Sequence, residues 1–382
     1  PTTNFIGTDT FTFKANDGEL DSETKTVTIK VVKGYLSTAT QIGADINGEL
    51  AGDNSGYSIS FNEDATIMAI GARLNDGSGS DSGHVRVYQY SSDAWTQLGG
   101  DINGEAANDS SGQSVSLSSD GKTIAIGAYN NTGNGASSGH VRIYNYNDTD
   151  WTQIGADIDG EAANDQSGVS VSLSSDGKTI AIGAYRNDGN GTDSGHVRIY
   201  NYNGTAWTQL GADIDGEAAS DQSGYSVSLS SDGKTLAIGA IVNNGNGTSS
   251  GHVRIYNYNG TVWTQLGEDI DGEAAGDQSG WSVSLSSDGT TVAIGAYKND
   301  VNGNDSGQVR VYNLAKINKA PVASNVSAAS VQNTNSTIHL VASDSNLDIL
   351  TYSIVSDPSN GTATLSGDTV TYTPNTNFKG TD

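Results

Sequence analysis

The stretch Ser170-Val171-Ser172-Leu173-Ser174-Ser175-Asp176-Gly177-Lys178-Thr179-Ile180-Ala181-Ile182-Gly183-Ala184, followed by His196-Val197-Arg198-Ile199-Tyr200, decides the fold. It predicts three β-strands, because apolar side chains alternate in the first and third and fill both faces of the second. Near copies recur every 56 residues, a period that is typical of propeller blades or of a linear array. The clearest markers of the period are Trp95, Trp151, Trp207 and Trp263.

Each repeat contains four predicted strands, which we name A to D in chain order. In the third copy they cover residues 170–174, 179–185, 196–202 and 207–211. Strand D is the most polar, which suits the outer edge of a sheet. Four antiparallel strands per repeat predict the blade of a β-propeller, and the tryptophans that open the D strands are expected to pack between blades, with sugar stacking as the alternative.

The order of the pieces predicts how the ring closes. Residues 35–43 correspond to a D strand alone, whereas the last copy supplies A, B and C at 281–286, 291–297 and 308–314 without a D strand. A ring forms if the first D strand completes the last blade, and this also hides the open edges. We therefore expect an all-β protein whose five-bladed β-propeller, residues 34–318, is closed by its N-terminal outer strand.

The two ends are predicted to be parts of one β-sandwich. Residues 1–33 contain two alternating runs, and residues 319–382 contain runs at 338–341, 350–354 and 369–372. The stretch 374–382 also matches 1–9 at seven of nine positions. We expect one unit of a longer tandem protein, with residues 1–33 as the C-terminal part of a sandwich and 319–382 as its N-terminal part. The two parts would pair within one chain or between neighbouring copies.

The composition restricts the class of partner. The chain has 382 residues, no cysteine, 49 glycines and a formal charge of −26. This charge would repel nucleic acid and anionic membrane surfaces, so we expect neither as a partner. No apolar run approaches the roughly 20 residues that a membrane helix needs. Divalent cations are the natural counterpart of so many carboxylates.

The repeat resembles the FG-GAP repeat of integrin-α-like propellers. The resemblance rests on Ser167-Gly168, on Ala181-Ile182-Gly183-Ala184 and on Gly195-His196-Val197-Arg198-Ile199-Tyr200. It implies a propeller of such repeats. The family's calcium loop lies in the A–B connection, which here is only Ser174-Ser175-Asp176-Gly177, so that site is not carried over.

The ends resemble the cadherin-like and Ig-like modules of bacterial tandem adhesins. The resemblance rests on Asp357-Pro358-Ser359-Asn360-Gly361-Thr362, on Tyr372-Thr373-Pro374-Asn375 and on Gly7-Thr8-Asp9-Thr10-Phe11-Thr12-Phe13. It implies a split Ig-like sandwich that carries the propeller on the surface of a bacterium.

The D–A and B–C connections share one face of an antiparallel meander, and we call this the acidic face. Its D–A loops carry oxygen ligands at alternate positions between glycines, an arrangement that suits calcium. The simpler interpretation is that these residues form Asx turns. The calcium prediction covers Asp45, Asn47, Glu49, Asp101, Asn103, Glu105, Asp157, Asp159, Glu161, Asp213, Asp215, Glu217, Asp269, Asp271 and Glu273.

Two further residue types recur beside these loops. The first is the aspartate of the Asp-x-Ser-Gly motif, which recurs with the repeat, as at Asp165. It is expected either to cap its loop or to pair with a strand C arginine, such as Arg198. Histidine begins four of the C strands, but Gln308 replaces it in the fifth. Because a zinc or catalytic role would fail in that blade, we expect His84, His140, His196 and His252 to be hydrogen-bonding residues at the rim.

Every candidate for chemistry recurs with the repeat, whereas catalytic residues are normally singular. Repetition favours multivalent binding, in which equivalent sites act together. We therefore expect a non-enzymatic, extracellular adhesion module that binds a glycan or surface protein, with calcium as its cofactor. The alternative is a structural repeat unit of an extracellular filament that contacts neighbouring copies. An enzyme such as a polysaccharide lyase or glycosidase is the third hypothesis.

Overall fold

The computed structural model describes residues 7–13, 25–31, 39–314, 321–343 and 350–381. These residues form β-strands, turns and loops, and among them no helix is long and apolar enough to cross a membrane. The chain divides into two compact units, residues 1–46 with 90–95 and residues 47–89 with 96–382. In the first unit, β1 (Gly7–Phe13) and β2 (Lys25–Val31) pair antiparallel, as the alternation predicts. The turn predicted between them lies outside the described residues.

Five sheets follow at the predicted period. The A strands are β3 (Ser55–Phe61), β8 (Ser114–Leu117), β13 (Ser170–Leu173), β18 (Ser223–Leu229) and β23 (Ser279–Leu285). The B strands are β4 (Ile67–Ala72), β9 (Thr123–Ala128), β14 (Thr179–Ala184), β19 (Thr235–Ala240) and β24 (Thr291–Ala296). The C strands are β5 (His84–Ser91), β10 (His140–Tyr146), β15 (His196–Tyr202), β20 (His252–Tyr258) and β25 (Gln308–Asn313).

Four of the sheets also have an outer strand. The D strands are β6 (Ala94–Gln97), β11 (Trp151–Gln153), β16 (Trp207–Gln209) and β21 (Trp263–Gln265). Each sheet runs A–B–C–D, so the predicted blade is confirmed. A two-residue strand after each D strand returns to pair with strand C of the same blade. These short strands are β7 (Ile102–Asn103), β12 (Ile158–Asp159), β17 (Ile214–Asp215) and β22 (Ile270–Asp271).

The core lies between successive blades. Strand B is buried on both faces, because its two sides contact the preceding and the following blade. One cluster joins Val141 and Ile143 of the second blade to Val171, Leu173 and Ile180 of the third. The hydrophobic stabilisation of a blade therefore depends on its neighbours.

The serines of strand A join neighbouring blades by hydrogen bonds. The Ser170 hydroxyl donates to the carbonyl oxygen of Gly224 in the next blade at 2.9 Å. The backbone N–H of Leu173 donates to the Ser116 hydroxyl of the preceding blade, also at 2.9 Å. The same two bonds recur at the other junctions between successive blades. The serine face of strand A is thus part of the junction between neighbouring blades.

The fifth sheet has three strands, β23–β24–β25, in the described part of the chain. Its outward face is open, since Val309 is 68% exposed whereas Val253, at the same position of the fourth blade, is fully buried. The first A strand is open too, with Ile59 58% exposed. Of the predicted closing strand, residues 39–43 form no strand and 35–38 lie outside the described residues. Closure of the ring therefore stays a prediction.

The C-terminal region contains two small sheets. One pairs β26 (Val322–Ala323) with β28 (Ala342–Ser343), and the other has the order β27–β30–β29, with bounds Ser336–His339, Thr369–Pro374 and Gly361–Ser366. The runs predicted near 338 and 369 are confirmed as strands. The strand predicted at 350–354 is wrong, because the structure has no strand over these residues. The boundaries of the three predicted domains, and the pairing of the two ends, stay predictions.

Candidate functional site

The recurring buried aspartate holds two loops of the acidic face together. Asp165 accepts hydrogen bonds at Oδ2 from the Asn187 side chain at 3.0 Å and from the Ala162 backbone N–H at 2.9 Å. Asp165 is 3% exposed and Asn187 is 6% exposed. The loop-capping alternative is therefore correct for this residue, and the Asp–Arg pair is not. The equivalent pairs are Asp53–Asn75, Asp109–Asn131, Asp221–Asn243 and Asp277–Asn299.

The strand C arginines pair with the D–A loop instead. Arg198 donates to the backbone carbonyl oxygen of Asp159, and its guanidinium lies 3.7 Å from Oε1 of Glu161. Loop and strand are therefore fixed to each other by one backbone bond and one ion pair. The same pairs with glutamate are Arg86–Glu49, Arg142–Glu105 and Arg254–Glu217.

In the part of the chain that the structure describes, four clusters of glutamate, histidine and aspartate result on the acidic face. Within each cluster, one ligand atom of each residue lies within 4.8 Å of the other two. The histidine comes from the start of strand C, the glutamate from the D–A loop before the blade, and the aspartate from the segment after strand D. The clusters are Glu49–His84–Asp101, Glu105–His140–Asp157, Glu161–His196–Asp213 and Glu217–His252–Asp269.

In the second and fourth clusters, each carboxylate has one oxygen next to a glutamine or arginine side chain and one that faces the histidine. In the second cluster Asp157 Oδ1 accepts from Gln153 at 2.6 Å, while its Oδ2 lies 3.9 Å from His140 Nδ1. Glu105 Oε1 lies 3.5 Å from Arg142, while its Oε2 lies 3.8 Å from the same Nδ1. Three potential ligand atoms therefore lie close together, and each carboxylate has a second contact from a neighbouring side chain.

The histidines are buried, not at the rim, so that prediction is wrong. All four are 1% exposed. The short strand at the start of the D–A loop pairs with strand C at the histidine, as His140 with Asp159, and so the loop lies beside the imidazole. Burial lowers the pKa of His140 and of His196 to about 4, so both imidazoles are neutral at pH 7. Burial also raises the pKa of the Glu105 carboxyl group, and the negative charges of the nearby carboxylates raise it further.

The structure divides the residues of the calcium prediction between neighbouring clusters. Asp101 and Glu105 of one loop belong to different clusters. The intervening Asn47, Asn103, Asp159, Asp215 and Asp271 accept from arginine through their backbone carbonyl oxygens. Asp45, in the first unit, accepts from Gln41 at 2.8 Å. Calcium binding by these residues stays a prediction.

Two positions show where the clusters stop. In the fifth blade Gln308 replaces histidine, and its side-chain N–H donates to Glu273 Oε2 at 2.9 Å.

In the A–B turns, where the resembled family has its calcium loop, Asp176 Oδ1 accepts from the Ser174 hydroxyl at 2.7 Å and from the Lys178 N–H. This carboxylate closes its own turn and does not fit a calcium loop.

The tryptophans pack between blades, as expected. Trp207 Nε1 donates to the Ile154 carbonyl oxygen of the preceding blade at 3.0 Å, and its ring lies 5.1 Å from that of Tyr202. Trp151 and Trp263 make the equivalent bonds to Leu98 and Leu210. In the first unit, Trp95 bonds the Ile42 carbonyl oxygen in the same way. These bonds favour a structural role over sugar stacking.

An aromatic cluster lies at the start of the A strands and the end of the B strands, on the acidic face. Ring centroids are 5.5 Å apart for Tyr185 and Tyr225, 4.7 Å for Tyr225 and Trp281, and 4.1 Å for Trp281 and Tyr297. Burial raises the pKa of Tyr225 to about 12, with contributions from Tyr57, Tyr185 and Tyr297. Trp281 and Tyr297 remain 36% and 40% exposed, so part of the cluster faces solvent.

Sequence reasoning missed this cluster, although a signal was present. Its residues occupy two positions at which the repeats differ from one another. The equivalents of Tyr225 are Tyr57, Gln113, Val169 and Trp281, and those of Tyr185 are Arg73, Tyr129, Ile241 and Tyr297. The search for recurring residues passes over such positions, and the topology places them side by side.

Family comparisons match most of the repeats and the C-terminal region. The model of the FG-GAP repeat matches residues 103–144, 156–200, 213–256 and 270–312. That of the bacterial Ig domain matches residues 318–382. No curated protein matches the chain.

Several solved structures are similar at low identity. Hydrazine synthase of Kuenenia stuttgartiensis is 16% identical with a TM-score of 0.41, over 70% of this chain and 60% of that one. The periplasmic gluconolactonase PpgL of Pseudomonas aeruginosa is 17% identical with a TM-score of 0.43, over 69% and 74%. The β-propeller domain of the Trilobed protease from Pyrococcus furiosus is 9% identical with a TM-score of 0.38, over 74% and 78%. This chain thus spans less than two thirds of the hydrazine synthase chain.

Proposed function

The chain contains four FG-GAP repeats and a bacterial Ig domain, and from this premise we propose that it is a non-catalytic, extracellular glycan-binding module. The two families together fit an extracellular or surface protein of the adhesion type. The recurrence of each polar cluster with the blade supports binding over catalysis, since a reaction centre would need a singular set of groups. The cofactor in this proposal is a divalent cation held on the acidic face.

The aromatic cluster is the observation that carries the proposal. Aromatic faces that are partly exposed can stack on the apolar faces of sugar rings while their edges and hydroxyls remain wet. Arg73 lies 3.8 Å over the Tyr57 ring and also donates to Gln113 at 3.1 Å, so polar groups lie beside the rings. The repeats differ from one another at these positions, which is expected of a surface that selects a ligand.

A glycan array tests the proposal with the purified chain, in the presence and absence of a chelator. We expect binding to one glycan class, and at least a tenfold loss in Trp281→Val and Tyr225→Val. Valine is tolerated here, since Val169 occupies the equivalent position of the third blade. The control is Tyr258→Val, whose ring packs on Trp263 at the opposite end of its blade. No glycan binding, or equal binding by all three variants, contradicts the proposal, and a surface protein is then the ligand to seek.

One observation favours the structural alternative, a repeat unit of an extracellular filament. The Ig domain contains an open cavity of about 880 Å³, lined in part by Val326, Ile338, Val370 and Phe378. An Ig sandwich normally fills this space with further strands. If the segment at residues 1–33 of a neighbouring copy supplies them, light scattering will show assembly that grows with protein concentration. A constant monomer mass across that range contradicts the alternative.

A further inference from the structure

We propose that the four Glu–His–Asp clusters each bind one transition-metal ion of the Zn²⁺ type, through a histidine Nδ1 and one oxygen of each carboxylate. The inference does not require glycan binding. It shares eight carboxylates with the calcium prediction and differs from that prediction in the histidine ligand, in how the carboxylates are grouped and in the metal. It is carried by the geometry of the clusters together with the buried histidine of the fourth cluster, whose Nδ1 has no hydrogen-bond partner.

The histidine points to a ligand because burial leaves it without a partner. In the fourth cluster His252 is 1% exposed, and neither ring nitrogen has a hydrogen-bond partner. Its Nδ1 lies 3.8 Å from Glu217 Oε2 and 3.7 Å from Asp269 Oδ2, too far for hydrogen bonds. A buried polar atom without a partner is costly, and a metal ion between these three atoms would satisfy Nδ1.

The separations suit an ion at the centre. A tetrahedral Zn²⁺ with ligands at about 2.0–2.2 Å places neighbouring ligand atoms roughly 3.4 Å apart. The observed distances of 3.8 Å from Nδ1 to Glu217 and 3.7 Å from Nδ1 to Asp269 close to that value if both carboxylates move by a few tenths of an ångström. Glu217 is free to do so, since its side chain is 43% exposed. The exposed glutamate also gives the ion a path from solvent and leaves its fourth position open.

The ligand types select the metal. Calcium takes six to eight oxygen ligands, whereas each cluster offers two carboxylates and one imidazole nitrogen. Imidazole with carboxylates suits zinc and its first-row neighbours. The second contacts of the carboxylates, from glutamine and arginine, orient them as the outer partners of metal ligands do. A divalent cation bound between the two carboxylates would also relieve their mutual repulsion.

The fifth blade provides an internal control. Gln308 occupies the histidine position there, and its amide donates to Glu273, so the carboxylate is satisfied without an ion. The fold therefore accepts glutamine at this place. Four sites, not five, are expected in the chain.

The test counts metal ions on the full chain after removal of all metal with a chelator. Equilibrium dialysis with ZnCl₂ should give about four Zn²⁺ per chain, and Co²⁺ in its place should show the visible absorbance of a low-coordinate site. His196→Gln should lower the number to about three, and so should Glu161→Gln. His339→Gln, which changes an exposed histidine of the Ig domain beside Thr369, should leave it at four.

The result that overturns the proposal is a zinc number that is below one or that does not change in His196→Gln. Saturation of the same sites by CaCl₂ at equal concentration would overturn the assignment of the metal. Because the metal count involves no glycan, a negative result overturns the zinc proposal without contradicting glycan binding. A negative glycan array likewise leaves the zinc proposal intact.

Discussion

The inner blades and the last blade have nearly the same sequence but not the same burial. Val253 and Ile255 of the fourth blade are at most 1% exposed, whereas Val309 and Val311 of the fifth are 68% and 65% exposed. The difference comes from the neighbour, since the fourth blade packs on the fifth and the fifth packs on no further blade in the described residues. A blade of this protein is therefore stabilised mainly by what lies beside it.

The largest expected effect is on stability, and a matched pair of side-chain substitutions to alanine tests it. Ile255→Ala should cost about 2–5 kcal/mol of unfolding free energy, because it leaves a cavity between two blades. Val311→Ala, at the equivalent exposed position, should change stability by no more than about 0.5 kcal/mol. Chemical denaturation of both variants measures the two values. A similar loss in both would mean that another segment covers the fifth blade, as the closing-strand prediction requires.

A second test uses the glycine of strand B. A Cβ added at Gly239 would fall well inside contact distance of the Gly280 carbonyl oxygen in the next blade, whereas at Gly295 it would meet the Ser282 hydroxyl of its own blade. Gly239→Ala should therefore destabilise by about 1–3 kcal/mol, since backbone cannot give way. Gly295→Ala should cost less, because a hydroxyl can rotate. Equal shifts in melting temperature would contradict this account.

The smallest expected difference lies in the buried Asp–Asn pair, which stays within one repeat. Asp221 and Asp277 are 2% and 3% exposed, and each bonds an asparagine of the same blade. Replacement by alanine should cost about 1–3 kcal/mol at either position, because Asn243 or Asn299 loses its partner. Denaturation curves should therefore agree for Asp221→Ala and Asp277→Ala. A much smaller loss in the last blade would show that this pair too depends on the neighbour.

Much of the fold could be predicted because it follows from local patterns. Strand C at 196–202 and the buried strand B are visible as alternating or wholly apolar runs, and the repeat fixes their number. The strand at 361–366 was missed, although its Gly367-Asp368 turn is a hairpin signal. The run at 350–354 alternates as a strand does, but it forms no strand in the structure.

The candidate site was harder to predict, because its members come from different repeats. Sequence reasoning grouped Asp101 with Glu105 as neighbours in one loop. The short strand at 102–103 instead brings Asp101 to His84, while Glu105 extends to the next blade. Histidine was set aside because one blade has Gln308, yet that residue marks the blade where the cluster ends.

The sequence by itself determined the repeat, its four strands and the two families, because periodicity and turn residues act over short distances along the chain. The tertiary structure alone decided which blade is covered, which carboxylates meet which histidine, and that Tyr57, Tyr225 and Trp281 are near one another. Burial and side-chain convergence depend on contacts between repeats, and identical repeats acquire different environments when they occupy different places in the assembly.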